Sequence, residues 1–250
     1  MAKILVAGAG KGIGRAVAEL ALELGHKVLA VSRTEEDFTT SRIVRPERIV
    51  DLVITIPEKR EREPYTKPYL ITDLTQPESL MRLAPYADKM EIIINCTGTH
   101  PGIKTFSQHQ DFTEETLETI KQNVLPALNL YQVFLSPFRQ KGKGHFVHIS
   151  SGALDFHDHS ESGYCASKAA LESLVRCLQE EDKENKVKHH ALRVALTDTP
   201  LARKVCPSIT DWDVHYTARE TASYLLDIVL QPENYPRPII SLPYQPVRTK

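Results

Sequence analysis

An alternation running almost end to end constrains this chain most: short apolar runs, each followed by a longer segment of helical period. Residues 4–7, 28–31, 69–71, 92–94, 146–149, 192–196 and 239–242 form runs of at most five residues, mostly continuous and rich in Val and Ile. Continuous apolar runs of that length read as strands covered on both faces. Between them, residues 13–24, 77–83, 112–138, 162–181 and 218–230 carry apolar side chains at 3.6-residue spacing. Strand and helix in alternation predict an α/β class fold, a doubly wound parallel sheet of about seven strands with helices on both faces. No repeat, low-complexity tract or Pro/Gly/Ser linker divides the 250 residues, so 1–250 read as a single domain. Residues 34–68, between the second and third strands, exceed what a helical crossover needs. Their mixed charge reads as an enlarged surface excursion, with a partner-binding element as the other reading.

Charge and cysteine usage remove several function classes. Lys and Arg number 31 against 32 Asp and Glu, a net charge of −1, and a protein that neutralises a nucleic-acid backbone would carry a strong basic excess. Cys96, Cys165, Cys177 and Cys206 are widely spaced with no CxxC pair. They read as reduced thiols of a cytoplasmic protein, with no metal site. Apolar runs fall far short of the ~18 residues that span a bilayer, so no membrane association is expected.

The first strand ends in Gly8-Ala9-Gly10-Lys11-Gly12-Ile13-Gly14-Arg15, and an amphipathic helix follows at once. Glycines at 8, 12 and 14 allow a tight turn, backbone approach to a pyrophosphate and close helix–strand packing. The helix N-terminus offers N–H groups and partial positive charge to the phosphates. A tight strand-to-helix turn is the plain alternative, but the placement after a first strand points to a dinucleotide. The second strand ends in Ser32-Arg33, with no Asp or Glu to accept from a ribose 2′-hydroxyl. A hydroxyl and a guanidinium, with Lys11 as a second cation, suit a 2′-phosphate. Two or three such hydrogen bonds at ~1.5–3 kcal/mol each amount to a preference of tens-fold or more, so NADP(H) is expected rather than NAD(H).

Further along stand Asn95-Cys96-Thr97-Gly98, Asn123 within a helix, Ser150-Ser151-Gly152 after a strand, and Tyr164-Cys165-Ala166-Ser167-Lys168. Four residues apart on a helix, Tyr164 and Lys168 share one face. An ammonium beside a phenol stabilises the phenolate and moves a group of pKa near ~10 towards acid–base work. Ser151 falls where open α/β sheets place their ligands, past the carboxyl end of a strand, and could orient a carbonyl oxygen.

Taken together these motifs resemble the short-chain dehydrogenase/reductase family, from about residue 3 to residue 242, and particularly its NADPH-dependent carbonyl reductases. The resemblance implies a Rossmann-type sheet of order 3-2-1-4-5-6-7. It assigns the catalytic tetrad to Asn123, Ser151, Tyr164 and Lys168. It places the cofactor on Gly8, Gly10, Lys11, Gly12, Ile13, Gly14, Ser32, Arg33, Asp73, Leu74, Asn95, Thr97, Gly98, Tyr164, Lys168 and Thr199. Tyr164 would exchange a proton with a carbonyl or alcohol oxygen while hydride passes to or from the nicotinamide. Lys168 would lower the Tyr164 pKa and hold the ribose, and Asn123 would anchor a water. Pro126 should loosen the helix near that water. Cys96 and Thr97 replace the family's Asn and Ala, and the usual Pro-Gly before Thr199 is absent.

The expected activity is NADP(H)-dependent interconversion of a carbonyl and an alcohol on a small-molecule substrate. A catalytically silent NADP(H)-binding regulatory or interaction protein is the alternative. Wide apolar faces including Leu125, Leu128, Tyr131, Leu171, Leu174 and Leu178 point to a homodimer, with a tetramer as the larger option and sheet cover as the plain reading. His157 and His159 read as a solvated turn, His100 as a loop histidine or a substrate contact, and the His189-His190 pair as a helix–strand junction.

Overall fold

The computed structural model describes residues 1–33, 69–156, 160–184 and 186–243, so the 34–68 excursion and the His157–His159 turn lie outside the described residues. The strands are β1 (Lys3–Ala7), β2 (Lys27–Ser32), β3 (Tyr69–Ile71), β4 (Ile92–Asn95), β5 (Gly144–Ser151), β6 (Val187–Val194), β7 (Thr197–Asp198), β8 (Tyr216–Thr217) and β9 (Ile239–Ser241). The helices are α1 (Gly12–Glu23), α2 (Glu78–Leu83), α3 (Phe112–Lys141), α4 (Ala153–Phe156), α5 (Ser162–Glu181), α6 (Pro200–Val205) and α7 (Ala218–Leu230).

Seven strands form one parallel sheet in the order β3-β2-β1-β4-β5-β6-β9, the Rossmann-type arrangement expected of the sequence. A separate parallel pair, β7 and β8, brackets residues 199–215. Period-two alternation divides the apolar residues of β1 between the two faces. Ile4 and Val6 pack with Val17, Ala18 and Ala21 of α1 and Leu225 and Val229 of α7. Leu5 and Ala7 pack with Phe134 and Phe138 of α3 and Leu171 and Leu178 of α5. A strand with both faces buried must be apolar at every position. β4 meets that over Ile92, Ile93 and Ile94, all buried, before ending in the buried Asn95.

One sequence reading shifts. β6 begins at Val187, so His189 and His190 lie inside a strand and are buried, not at a junction. Their polarity breaks the apolar run, but each ring has a partner. His189 Nε2 meets Asp182 at 2.8 Å, and His190 Nδ1 meets His145 at 2.7 Å. α3 runs unbroken through Pro126 and Pro137. Asp111 caps its start by accepting the Glu114 N–H at 2.9 Å, and Gly142 in the left-handed region ends it. Of the apolar faces read from the sequence, Tyr131, Leu171 and Leu178 are spent against the sheet, while Leu128 stays 42% exposed.

Candidate active site

Because the sheet is parallel, β1, β4, β5 and β6 all end at one edge, and the segments that follow them meet there. Turning out of β1, the Gly8 and Ala9 N–H groups donate to Val31 O at 2.9 and 3.0 Å, anchoring the glycine loop to β2. The α1 helix then begins at Gly12, with no side chain capping it and no acidic residue in its first turn. A helix end of that kind has N–H groups and dipole available for an anion. Gly14 is fixed by space: a Cβ there would stand 2.2 Å from Gly8 O. Lys11 and Arg33, both exposed, flank this loop at the ends of β1 and β2, and Ser32 is buried at the strand end. A backbone cradle, an open helix N-terminus and two flanking cations fit a phosphorylated dinucleotide.

Asn95 closes the next part of the edge. Its carboxamide oxygen accepts the Thr97 N–H at 3.1 Å and the Thr97 hydroxyl at 2.6 Å. Its amide faces His148 Nδ1 at 3.1 Å, and His148 Nε2 meets the Tyr131 hydroxyl at 2.9 Å. This buried chain fixes the turn that leads to Gly98. Asp73 turns its carboxylate back on Thr75, accepting the backbone N–H and the hydroxyl, each at 2.9 Å. Leu74 is buried, its carbonyl held by Asn129 at 2.7 Å. Thr199 caps α6, accepting the Ala202 N–H at 3.1 Å. Its Cβ and methyl stand 3.5 Å from the position a Gly12 side chain would take, so the segment after β6 touches the glycine loop.

The four tetrad positions converge here. Asn123 is fully buried. It accepts the Thr99 N–H at 2.7 Å and donates to Thr99 O at 3.1 Å and Ser167 Oγ at 2.8 Å. The carboxamide therefore ties α3 to the loop after β4 and to α5. Lys168, 3% exposed, donates to Ile149 O at 3.0 Å, and burial lowers its pKa to about 8. Its Nζ lies 5.7 Å from the Tyr164 ring centroid. Burial pushes the Tyr164 phenol up to about 12, with the Ser151 hydrogen bond pulling down and the Glu161 charge pushing up. In this geometry Ser151, not Lys168, is the group that lowers Tyr164, because the ammonium is turned to a strand carbonyl. Ser151 sits at the last position of β5 and also accepts the Ala153 N–H at 3.2 Å.

Two neighbours stand outside the sequence-derived set. His100 packs its ring on Tyr164 with centroids 4.1 Å apart, and Glu161 lies 2.9 Å from that histidine. Glu161 immediately precedes α5, three residues before Tyr164. A shallow pocket beside them is lined by Gly102, His109, Glu115, Thr119, Glu161 and Tyr164, among others. Among the described residues no three His, Cys, Asp or Glu side chains converge as a metal site, and no helix is long and apolar enough to cross a membrane.

A family model described as short chain dehydrogenase matches residues 2–209. The chain is 28% identical over 220 residues to a benzil reductase, (S)-benzoin forming, of Bacillus subtilis, covering 86% of this chain and 82% of that protein. It is 27% identical over 201 residues to a 2,3-dihydro-2,3-dihydroxybenzoate dehydrogenase of Escherichia coli, covering 80% and 71%. Among solved structures, a short chain dehydrogenase from Burkholderia cenocepacia in complex with NADP shares the fold. Its TM-score is 0.76 at 20% identity, over 97% of this chain and 88% of that one.

Proposed function

Since the chain belongs to the short-chain dehydrogenase/reductase family, an oxidoreductase family, we propose that it interconverts a carbonyl and an alcohol with NADP(H), using Tyr164 as the acid/base. The observation that carries this reading is the meeting of Ser151, Tyr164, Lys168 and Asn123 at the sheet edge where the glycine loop opens. A bound reduced nicotinamide supplies hydride to the carbonyl carbon. Ser151 donates to the carbonyl oxygen and orients it, and Tyr164 gives its proton to that oxygen as negative charge builds there. Proton loss leaves a phenolate, which the Ser151 hydrogen bond favours, and solvent restores the proton. Asn123 acts by holding Thr99 and α5 in register, keeping the loop and Tyr164 at a fixed separation.

NADP(H) is favoured over NAD(H) by Ser32 and Arg33 at the end of β2, by Lys11 beside the loop, and by the lack of an acidic residue at that strand end. The NADP complex of the Burkholderia cenocepacia structure fits this choice. The benzil reductase relative makes an aryl 1,2-diketone a reasonable first substrate. Calorimetric titration with NADPH and NADH is the first test, with NADPH binding tens-fold tighter as the expected outcome. Turnover of benzil, followed by NADPH absorbance, should fall about 10²–10⁴-fold in Tyr164→Phe. Binding of neither nucleotide would overturn the reading in favour of a regulatory or interaction protein, and equal affinities would remove the Arg33 argument.

A further inference from the structure

The loop leaving β4 carries His100 onto the phenol ring, with the two rings tilted by 41° at 4.1 Å. The imidazole side chain is 9% exposed and the Glu161 side chain 15%. Both ring nitrogens are engaged. Nδ1 accepts the Gly102 N–H at 3.1 Å, and Nε2 lies 2.9 Å from Glu161 Oε1. A nitrogen that accepts from an amide carries no proton, so the proton is on Nε2 and is donated to the carboxylate. Glu161 occupies the N-cap of α5 without capping it. The side chain that could serve the helix end is given to His100 instead, one turn from Tyr164.

We propose that His100 and Glu161 are a positioning pair for Tyr164: the imidazole seats the phenol ring and pins the carboxylate beside it, so that the phenol keeps its proton until a carbonyl oxygen is there to take it. This rests on reading Tyr164 as the acid/base. A carboxylate held near a phenol opposes the phenolate, because two like charges in a poorly solvated site repel. The other groups that face Tyr164 are accounted for. Ser151 from β5 favours ionisation, Lys168 on α5 keeps its Nζ 5.7 Å from the ring centroid, and Cys165 is its chain neighbour. Across the pocket, Glu115 has its charge met by Lys104 at 3.0 Å and His109 at 2.9 Å. Cys206, past α6, feels the charge of Glu161. Glu161 is thus the carboxylate whose charge reaches the phenol.

The test replaces Tyr164 by 3,5-difluorotyrosine, whose phenol titrates in a range the folded protein tolerates, and reads its ionisation by fluorine NMR. Glu161→Gln and His100→Leu should each lower the midpoint by about one pH unit. His100→Gln, whose amide can still donate to Glu161, should stay near the parent value. An unmoved midpoint in Glu161→Gln would overturn the proposal, and so would a His100→Gln midpoint displaced as far as that of His100→Leu. Each variant's fold is checked by its fluorine signal and thermal melt, and Glu161→Gln, which keeps the side chain's shape, guards against a His100 variant that does not fold. The titration needs neither substrate nor nucleotide, so a protein that turns over nothing can pass it and a competent reductase can fail it.

Discussion

Acidification from pH 7 to pH 5 should loosen this protein through His148, and the loss can be worked from the structure. The ring is fully buried. Its Nδ1 faces the Asn95 amide, leaving Nε2 as the protonated nitrogen beside the Tyr131 hydroxyl. A second proton would set N–H against N–H. Burial, reinforced by the charges of His189 and Lys168, lowers its pKa from 6.5 to about 3. The folded value lies below the unfolded one, so the unfolded chain takes the proton first. Stability is intact above pH 6.5 and drains away as pH falls from there towards 3. At pH 5 the unfolded histidine is almost fully charged and the folded one neutral, a loss of about 2 kcal/mol from this ring alone. Urea unfolding at the two pH values reads it as a midpoint displaced by about 1 M, for a slope of about 2 kcal/mol per molar. His145, His189 and His190 are shifted the same way, so the comparison that isolates His148 is His148→Gln. That variant should lose about 2 kcal/mol less than the parent between the same pH values. Equal losses in parent and variant would refute the reasoning.

Three further outcomes follow from the same geometry. Gly98→Ala places a Cβ 2.9 Å from Asn123 Oδ1 and 3.3 Å from Lys168 Nζ, at a φ of +154°. Turnover should fall at least about tenfold while the thermal midpoint drops only a few degrees, since the clash falls on tetrad side chains at an exposed residue. In Gly14→Ala the collision is with backbone, and calorimetry should find NADPH binding lost together with about 1–3 kcal/mol of stability. Arg193 holds Glu172 through two 2.7 Å hydrogen bonds, with Ser150 as a third partner at 2.7 Å. Arg193→Met should cost about 3 kcal/mol in urea unfolding, because it leaves a buried carboxylate with only the more distant Arg176 guanidinium, at 3.8 Å, as its cation.

What the sequence disclosed depended on how local the signal was. The strands β1 and β4, the glycine loop, and the Tyr164–Lys168 spacing are written in contiguous residues, and the structure reproduces each. The start of β6 is not, because His189 and His190 become strand residues only when Asp182 and His145 arrive to bond them. The sequence placed Tyr164 and Lys168 on one face, but it could not show that Ile149 O takes the ammonium. That bond depends on how α5 lies across β5. Asn95 and Asn123 were legible as motif members, yet what they hold, the Thr97 turn and the Thr99 backbone, emerges only from tertiary contact. The ring of His100 reaches Tyr164 across 64 positions of chain (164 − 100), beyond any pattern in a single sequence.

The contact of Thr199 with the glycine loop has a kinetic corollary. Its Cβ and methyl lie 3.5 Å from where a Gly12 Cβ would stand, and the same residue begins the segment between β7 and β8, which on the proposed reading borders the substrate. Whatever settles the loop also settles the first residue of that border. On the proposed reading, a nucleotide that arrives first would build part of the wall against which the carbonyl compound docks, whereas a carbonyl compound arriving first would meet that wall before the nucleotide has settled it. The steady state should be ordered: nucleotide on first, alcohol off first, oxidised nucleotide last. Oxidised nucleotide would then inhibit competitively against NADPH and non-competitively against the carbonyl substrate.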